Sequence, residues 1–176
     1  MVSCLVMLLK AALLASVLLA EGSDNTLHYF IENNGIGTAY HEIFHGILGH
    51  DGGPLERMFN EGFASYFELC SPGGAKPSFG PPQSIHQANA KNVVKTKDNY
   101  TLSQILGTDD GLFQKDQLVG YCEGVMCVHF LREAGVLERM YALYRERGRG
   151  SLVPCLEDAF LLPVEEVDPV FTAFCR

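Results

Sequence analysis

The sequence has few basic residues, and they are not clustered. Lysine and arginine number 13 against 21 aspartate and glutamate residues, which gives a formal net charge of −8. The densest basic group is Arg145, Arg147 and Arg149, and its place at the end of a predicted helix suits the helix dipole. Because phosphate backbones are bound by clustered lysine and arginine, we expect no nucleic-acid partner.

The chain also lacks any C-x-x-C pair, which argues against a zinc site built from thiolates. Its six cysteines are scattered, at Cys4, Cys70, Cys122, Cys127, Cys155 and Cys175. Removal of an export signal that contains Cys4 would leave an odd number, so at least one thiol of a monomer would stay unpaired. The connectivity of any bridges is open, and buried structural cysteines are the favoured interpretation.

After residue 20 the chain has no apolar run that approaches the length of a membrane span. Before it, the apolar run 11–20 follows Lys10 and precedes the polar segment 21–25. This pattern predicts a signal peptide in residues 1–22 and a secreted or exported protein, with an amino-terminal anchor or a buried helix as alternatives. The remaining length predicts a single domain over residues 23–176.

The segment around which the sequence is organised is His41-Glu42-Ile43-Phe44-His45, an H-E-x-x-H motif. Apolar residues surround it on nearly every side, which predicts a buried helix from Thr38 to about Gly49. In a helix, histidines four apart project from one face and can bind a single zinc ion. Buried polar groups without partners would cost about 1–3 kcal/mol each, so metal coordination is the favoured explanation.

A second helix, predicted over residues 55–69, supplies a third metal ligand. Its core face consists of aromatic residues at helical spacing, namely Phe59, Phe63, Tyr66 and Phe67. Glu61 lies away from the centre of this face, and the short connection between the helices lets it approach the histidines and complete a His₂Glu zinc set. The alternatives are His50 or Asp51 as third ligand, in a register that departs from the metzincin pattern, and no metal at all.

Together the two segments resemble the paired active-site helices of gluzincin peptidases. The resemblance rests on the H-E-x-x-H motif and on Asn60-Glu61-Gly62-Phe63-Ala64, which is similar to a segment of aminopeptidase-N-like enzymes. The spacing between the segments is closer to that of compact peptidase-MA-like domains. This resemblance implies a mainly α, zincin-like domain, one zinc ion held by His41, His45 and Glu61, and a peptide or protein substrate.

The resemblance also implies catalytic roles. Glu42 would be the general base that accepts a proton from the attacking water during peptide-bond hydrolysis. Gluzincins supply an oxyanion donor from a helix after the glutamate ligand, and Tyr121 is the first candidate for it, with His129 as the second.

The segment ahead of His41 is shorter than the resemblance implies. Gluzincin domains carry a β-sheet subdomain before their first active-site helix, whereas here about twenty residues separate the predicted signal from His41. A short or truncated β element, predicted at residues 27–32, would have to serve instead. Two alternative hypotheses follow: a zinc-containing binding or accessory module without turnover, and a fragment of a longer peptidase.

The rest of the chain is predicted to be mainly helical. Predicted helices span residues 85–95, 115–134, 136–147, 152–162 and 164–174, and the Gly/Pro-rich segment 71–83 is predicted to be a loop. Helical spacing predicts burial for Leu118, Cys122, Val125, Met126, His129 and Phe130 in the second of these helices, and for Leu137, Met140, Tyr141 and Tyr144 in the third.

Overall fold

The computed structural model describes residues 41–42, 44–46, 48, 55–67, 70–71, 78–79, 100–107, 110–147 and 150–175. The predicted signal, the strand at 27–32, the helix at 85–95 and the alternative ligands His50 and Asp51 lie outside the described residues. Within the described ranges, no helix combines the length and the apolar character needed to cross a membrane.

Helices make up most of the described chain, as the predicted mainly α class requires. The first, α1, comprises the helical residues 41–42, 44–46 and 48. The others are α2 (Arg57–Phe67), α3 (Leu102–Ile105), α4 (Asp110–Lys115), α5 (Gln117–Glu133), α6 (Leu137–Arg147), α7 (Val153–Phe160) and α8 (Val164–Cys175). Two short strands, β1 (Cys70–Ser71) and β2 (Ser78–Phe79), pair antiparallel. This pair lies where the Gly/Pro-rich composition predicted a loop.

Helix α5 forms the centre of the described structure. It begins after Asp116, whose carboxylate accepts a hydrogen bond from the backbone N–H of Val119 at 3.3 Å. Its middle is buried on nearly every side, and α2, α3, α4, α6 and α8 all contact it. The predicted burial of Leu118 is wrong, because this side chain is 50% exposed. Val119 and Gly120 take the inward positions in the first turn, and the helical rotation per residue turns Leu118 to solvent.

The crossing of α2 and α5 depends on two glycines. An added Cβ at Gly62 would lie 2.1 Å from the carbonyl carbon of Gly124, and one at Gly124 would lie 2.2 Å from the carbonyl oxygen of Met58. The two backbones therefore touch, as only glycines at the crossing allow. This contact brings the residues that precede and follow the glycines close together, and among these are Glu61 and Tyr121.

The buried side chains of the described residues form one hydrophobic cluster that extends from α1 to α8. The inward residues predicted for α6 are all buried, which confirms the helical face expected there. Four thiols, those of Cys122, Cys127, Cys155 and Cys175, are buried. The prediction of buried structural cysteines is thus confirmed for the cysteines whose side chains the structure describes.

Candidate metal centre

Three predicted ligands converge in the structure. The Nε2 atoms of His41 and His45 lie 2.9 Å apart, and the Oε2 atom of Glu61 lies 3.3 Å from each of them. The histidines are one turn apart on α1, and Glu61 comes from α2. Among the described residues, this is the group of histidine, cysteine and acidic side chains whose donor atoms are close enough to hold one metal ion.

The donor spacing fits a tetrahedral zinc ion. Bonds of about 2.0–2.1 Å from zinc to imidazole nitrogen and carboxylate oxygen give a tetrahedron with edges of about 3.3 Å. The two distances from Glu61 have this value, and the distance between the imidazoles is shorter by a few tenths of an ångström. The donor set, two imidazoles and a carboxylate, is that of open catalytic zinc sites. The residues present therefore fit the predicted ion.

The outer nitrogen of each imidazole has a partner on α2. His45 Nδ1 donates to the side-chain oxygen of Asn60 at 3.1 Å, and His41 Nδ1 lies 3.4 Å from the hydroxyl oxygen of Ser65. With Nδ1 protonated in both rings, both Nε2 lone pairs face the carboxylate of Glu61. Three electron-rich atoms then meet at one point, which is the arrangement that a cation stabilises.

Asn60 and Ser65 were not among the residues singled out by sequence reasoning. A signal for them was present, because Asn60 is adjacent to Glu61 and Ser65 is one helical turn after it on a helix that is otherwise strongly apolar. Ser65 is fully buried, and a buried hydroxyl beside a ligand position calls for a polar partner. The helix α2 thus provides one candidate metal ligand, Glu61, and the hydrogen-bond partners of the two candidate histidine ligands.

Electrostatics at the centre favour an ionised carboxylate beside a cation. Burial by itself would raise the pKa of Glu61, but the hydrogen bonds from His41 and His45 outweigh it and hold this pKa well below its usual range. In turn, the hydrogen bond to Glu61 raises the pKa of His45, which burial by itself would lower. Because protons bind to the same imidazole and carboxylate atoms as a metal ion, protons and metal ions would compete for this group.

Of the two predicted catalytic residues, Tyr121 contacts Glu61 and Glu42 is next to His41 in the chain. Glu42 follows His41 on α1, and its side chain is exposed. Burial raises the pKa of the Tyr121 hydroxyl, and the nearby carboxylates of Glu61 and Glu42 raise it further. The Tyr121 hydroxyl donates a hydrogen bond to Glu61. Tyr121 therefore reaches the metal centre from α5, and both glutamates act on the same hydroxyl.

The second oxyanion candidate, His129, lies elsewhere on the same helix. Its ring packs against Tyr66, with centroids 5.9 Å apart, and against Phe174, with centroids 5.2 Å apart. Eight residues separate it from Tyr121, which corresponds to about 12 Å along the axis of α5. Of the two candidates, Tyr121 is the one for which the structure shows a contact with a predicted ligand, Glu61.

No protein-family model matches the chain, and no curated protein or solved structure matches it. The resemblance to gluzincins consequently rests on the sequence segments 41–45 and 60–64. Any function has to be argued from the donor atoms of His41, His45 and Glu61 and from their neighbours.

Proposed function

We propose that the protein is a zinc-dependent peptidase of the gluzincin type. The observation that carries this proposal is the convergence of two imidazole nitrogens and one carboxylate oxygen at distances of 2.9–3.3 Å. In this proposal α1 and α2 are the paired active-site helices of a zincin-like domain. The oxygen atoms of Asn60 and Ser65 next to the two Nδ1 atoms support it, because ligating histidines characteristically donate their other ring N–H to an oxygen.

The reaction proposed for this site is hydrolysis of a peptide bond. Zinc, when bound, would supply an activated water and polarise the scissile carbonyl. Glu42, exposed next to His41, accepts the proton of the attacking water and passes it to the leaving amine. Tyr121 donates a hydrogen bond to the carbonyl oxygen as negative charge develops there. In the structure this hydroxyl donates to Glu61, so it has to turn from the ligand to the substrate.

The decisive experiment measures zinc content and peptide cleavage together. Purified wild-type protein is compared with Glu42→Gln and with the control Glu146→Gln, which removes an exposed carboxylate from α6. Each is assayed for zinc per chain and for hydrolysis of a broad peptide library, with and without a chelator. We expect one zinc ion in all three proteins, chelator-sensitive cleavage by the wild type and the control, and a loss of about 10²–10⁴-fold in Glu42→Gln.

Two outcomes contradict the proposal in different ways. Zinc bound by a wild type that cleaves no peptide would exclude the peptidase and favour a zinc-containing binding module. A folded protein that takes up no zinc would exclude both functions. Cleavage that survives in Glu42→Gln would remove Glu42 from its role as general base.

A further inference from the structure

An arginine lies one helical turn before the third ligand. Arg57 is the first residue of α2, and residues four apart on a helix are neighbours with Cβ atoms about 5–6 Å apart. Its side chain is exposed, and its guanidinium carbon lies 4.7 Å from the centroid of the Phe113 ring. Arg57 is therefore held at the edge of the metal centre by an aromatic ring from α4.

The ring that supports Arg57 is itself fixed. Phe113 is 1% exposed, and it packs so closely on α5 that a Cβ added at Gly120 would lie 2.5 Å from its Cδ2 atom. The same ring meets Tyr121 edge to face, with centroids 5.2 Å apart. Phe113 therefore connects the guanidinium of Arg57 with the tyrosine that contacts Glu61.

Stacking leaves the hydrogen-bonding edge of the guanidinium available. A guanidinium over a ring keeps its N–H donors in its own plane, where they match the two oxygens of a carboxylate. Among the residues that the structure describes, no ion pair occupies these donors. Arg57 also lowers the pKa of Tyr121 against the effects of burial and of Glu61, so its charge acts on the proposed catalytic space.

We infer that Arg57 binds a carboxylate of the substrate, so that the protein prefers peptides with an acidic group next to the scissile bond. This inference rests on the proposed function. The Cβ atoms of Arg57 and Glu61, four residues apart on one helix, are separated by about 5–6 Å, which is less than two residues of extended peptide, about 6.6 Å. The carboxylate therefore belongs to a residue adjoining the bond, either as an acidic side chain or as the carboxyl terminus. A local cation is needed for such a substrate, because the chain as a whole carries a charge of −8.

Binding rather than turnover provides the test. Zinc-loaded Glu42→Gln protein is titrated with four fluorescein-labelled hexapeptide pools, which carry either Glu or Gln at one position and either a free or an amidated carboxyl terminus. The same titrations are made after adding Arg57→Gln or Arg57→Lys, and after the control Arg139→Gln, which removes an exposed arginine from α6. The Glu and Gln pools report a side-chain carboxylate, and the free and amidated pools report a terminal one.

We expect one of the acidic pools to bind about tenfold more tightly than its neutral partner, as a charge-assisted bidentate contact allows. Arg57→Gln should abolish this preference, Arg57→Lys should keep part of it, and Arg139→Gln should keep all of it. Equal affinity for all pools, or a preference that persists in Arg57→Gln, would overturn the inference.

The two proposals fail separately. Cleavage by the wild type without a carboxylate preference leaves the peptidase intact and removes the role of Arg57. A carboxylate preference that Arg57→Gln abolishes, in a protein that cleaves nothing, leaves Arg57 as a determinant of peptide binding. Zinc content and near-UV circular dichroism show whether each variant is folded. If Arg57→Gln does not fold, the charge-retaining Arg57→Lys still provides the test.

Discussion

Two glutamates lie next to the glycines of the same helix crossing, and their environments shift the carboxyl pKa in opposite directions. Glu61 precedes Gly62 on α2, and hydrogen bonds from His41 and His45 hold its pKa well below the usual range despite burial. Glu123 precedes Gly124 on α5 and is 1% exposed. Burial raises the pKa of Glu123 to about 7, although the backbone N–H of Tyr100 donates to it.

The difference shows what a partner does for a buried carboxylate. The oxygen of Glu61 faces two imidazoles, whereas Oε2 of Glu123 has no hydrogen-bond partner among the described residues. The thiols of Cys127 and Cys175 lie close enough to Glu123 for its charge to raise their pKa, and they offer it no cation. A carboxylate next to the crossing of α2 and α5 is thus stable in its ionised form only where a cation can balance its charge, as at Glu61.

The crossing itself is the feature whose loss should have the largest effect. In Gly124→Ala the new methyl group would lie 2.2 Å from the carbonyl oxygen of Met58, so the two helices must separate. We expect a loss of about 4 kcal/mol or more in the free energy of unfolding, together with loss of zinc binding. Urea denaturation and zinc content provide the measurement. Gly150→Ala is the control, because no atom lies within 4 Å of its added Cβ.

The next largest expected effect is stabilisation by zinc, which should depend on Glu61 and not on Glu123. Zinc at about a thousandfold its dissociation constant should add about 4 kcal/mol to the stability of the wild type. Glu123→Gln should keep this gain, whereas Glu61→Gln, which replaces a proposed ligand, should lose most of it. Thermal melts with and without zinc measure the gain. Equal stabilisation of Glu61→Gln and wild type would show that Glu61 is not a ligand.

A third test isolates the environment of Glu123 by pH. Its pKa rises from 4.5 in the unfolded chain to about 7 in the folded one, so the folded state holds the proton more tightly. The contribution of this proton to the free energy of unfolding is therefore fully present below pH 4.5. It is lost as the pH rises through 7, by about 3 kcal/mol in total.

The side chain in Glu123→Gln does not titrate. The free energy of unfolding of this variant, relative to that of the wild type, should therefore increase from pH 5 to pH 8. The nearby thiols do not interfere, because burial raises the pKa of Cys175 to about 12 and that of Cys127 well above its usual value. Urea denaturation of both proteins across this range gives the difference. A constant difference would contradict the assignment of the raised pKa to Glu123.

The smallest expected effect concerns the support of the ligands. Asn60→Ala removes the acceptor that orients His45 at 3.1 Å, and we expect zinc affinity to fall about 10–100-fold, or about 1.4–2.7 kcal/mol. Ser65→Ala should cost less, because its contact with His41 is longer, at 3.4 Å. Competition with a chromophoric chelator measures both. Unchanged zinc affinity in Asn60→Ala would mean that the tautomer of His45 is set by another group. The control is Gln114→Ala, which truncates an exposed side chain on α4.

Much of the helical structure was predictable because it depends on local spacing. The aromatic residues of α2 and the inward residues of α6 recur at the helical period, and both helices appear within two residues of their predicted ends. The pairing of the two histidines was predictable for a similar reason, since residues four apart on a helix share a face whatever surrounds them. Periodicity gave the wrong prediction of burial for Leu118, because it identifies one face of a helix but not where the neighbouring helices that cover this face end.

The partners across helices could not be read from spacing. The contact of Gly62 with Gly124, the hydrogen bond from Tyr121 to Glu61 and the position of Arg57 over Phe113 all join residues far apart in the chain. A choice between Tyr121 and His129 as the residue at the metal centre required the crossing of α2 and α5.

The sequence by itself therefore determined the longer helices, the histidine pair and the glutamate that faces it, because these follow from the periodicity of a single helix or of two consecutive ones. Only the tertiary structure decided that Glu123 is buried and that its pKa is raised by this burial, and that Tyr121 contacts Glu61. The physical reason is that desolvation and charge pairing depend on what another part of the chain places within a few ångströms, and no local pattern contains that distance.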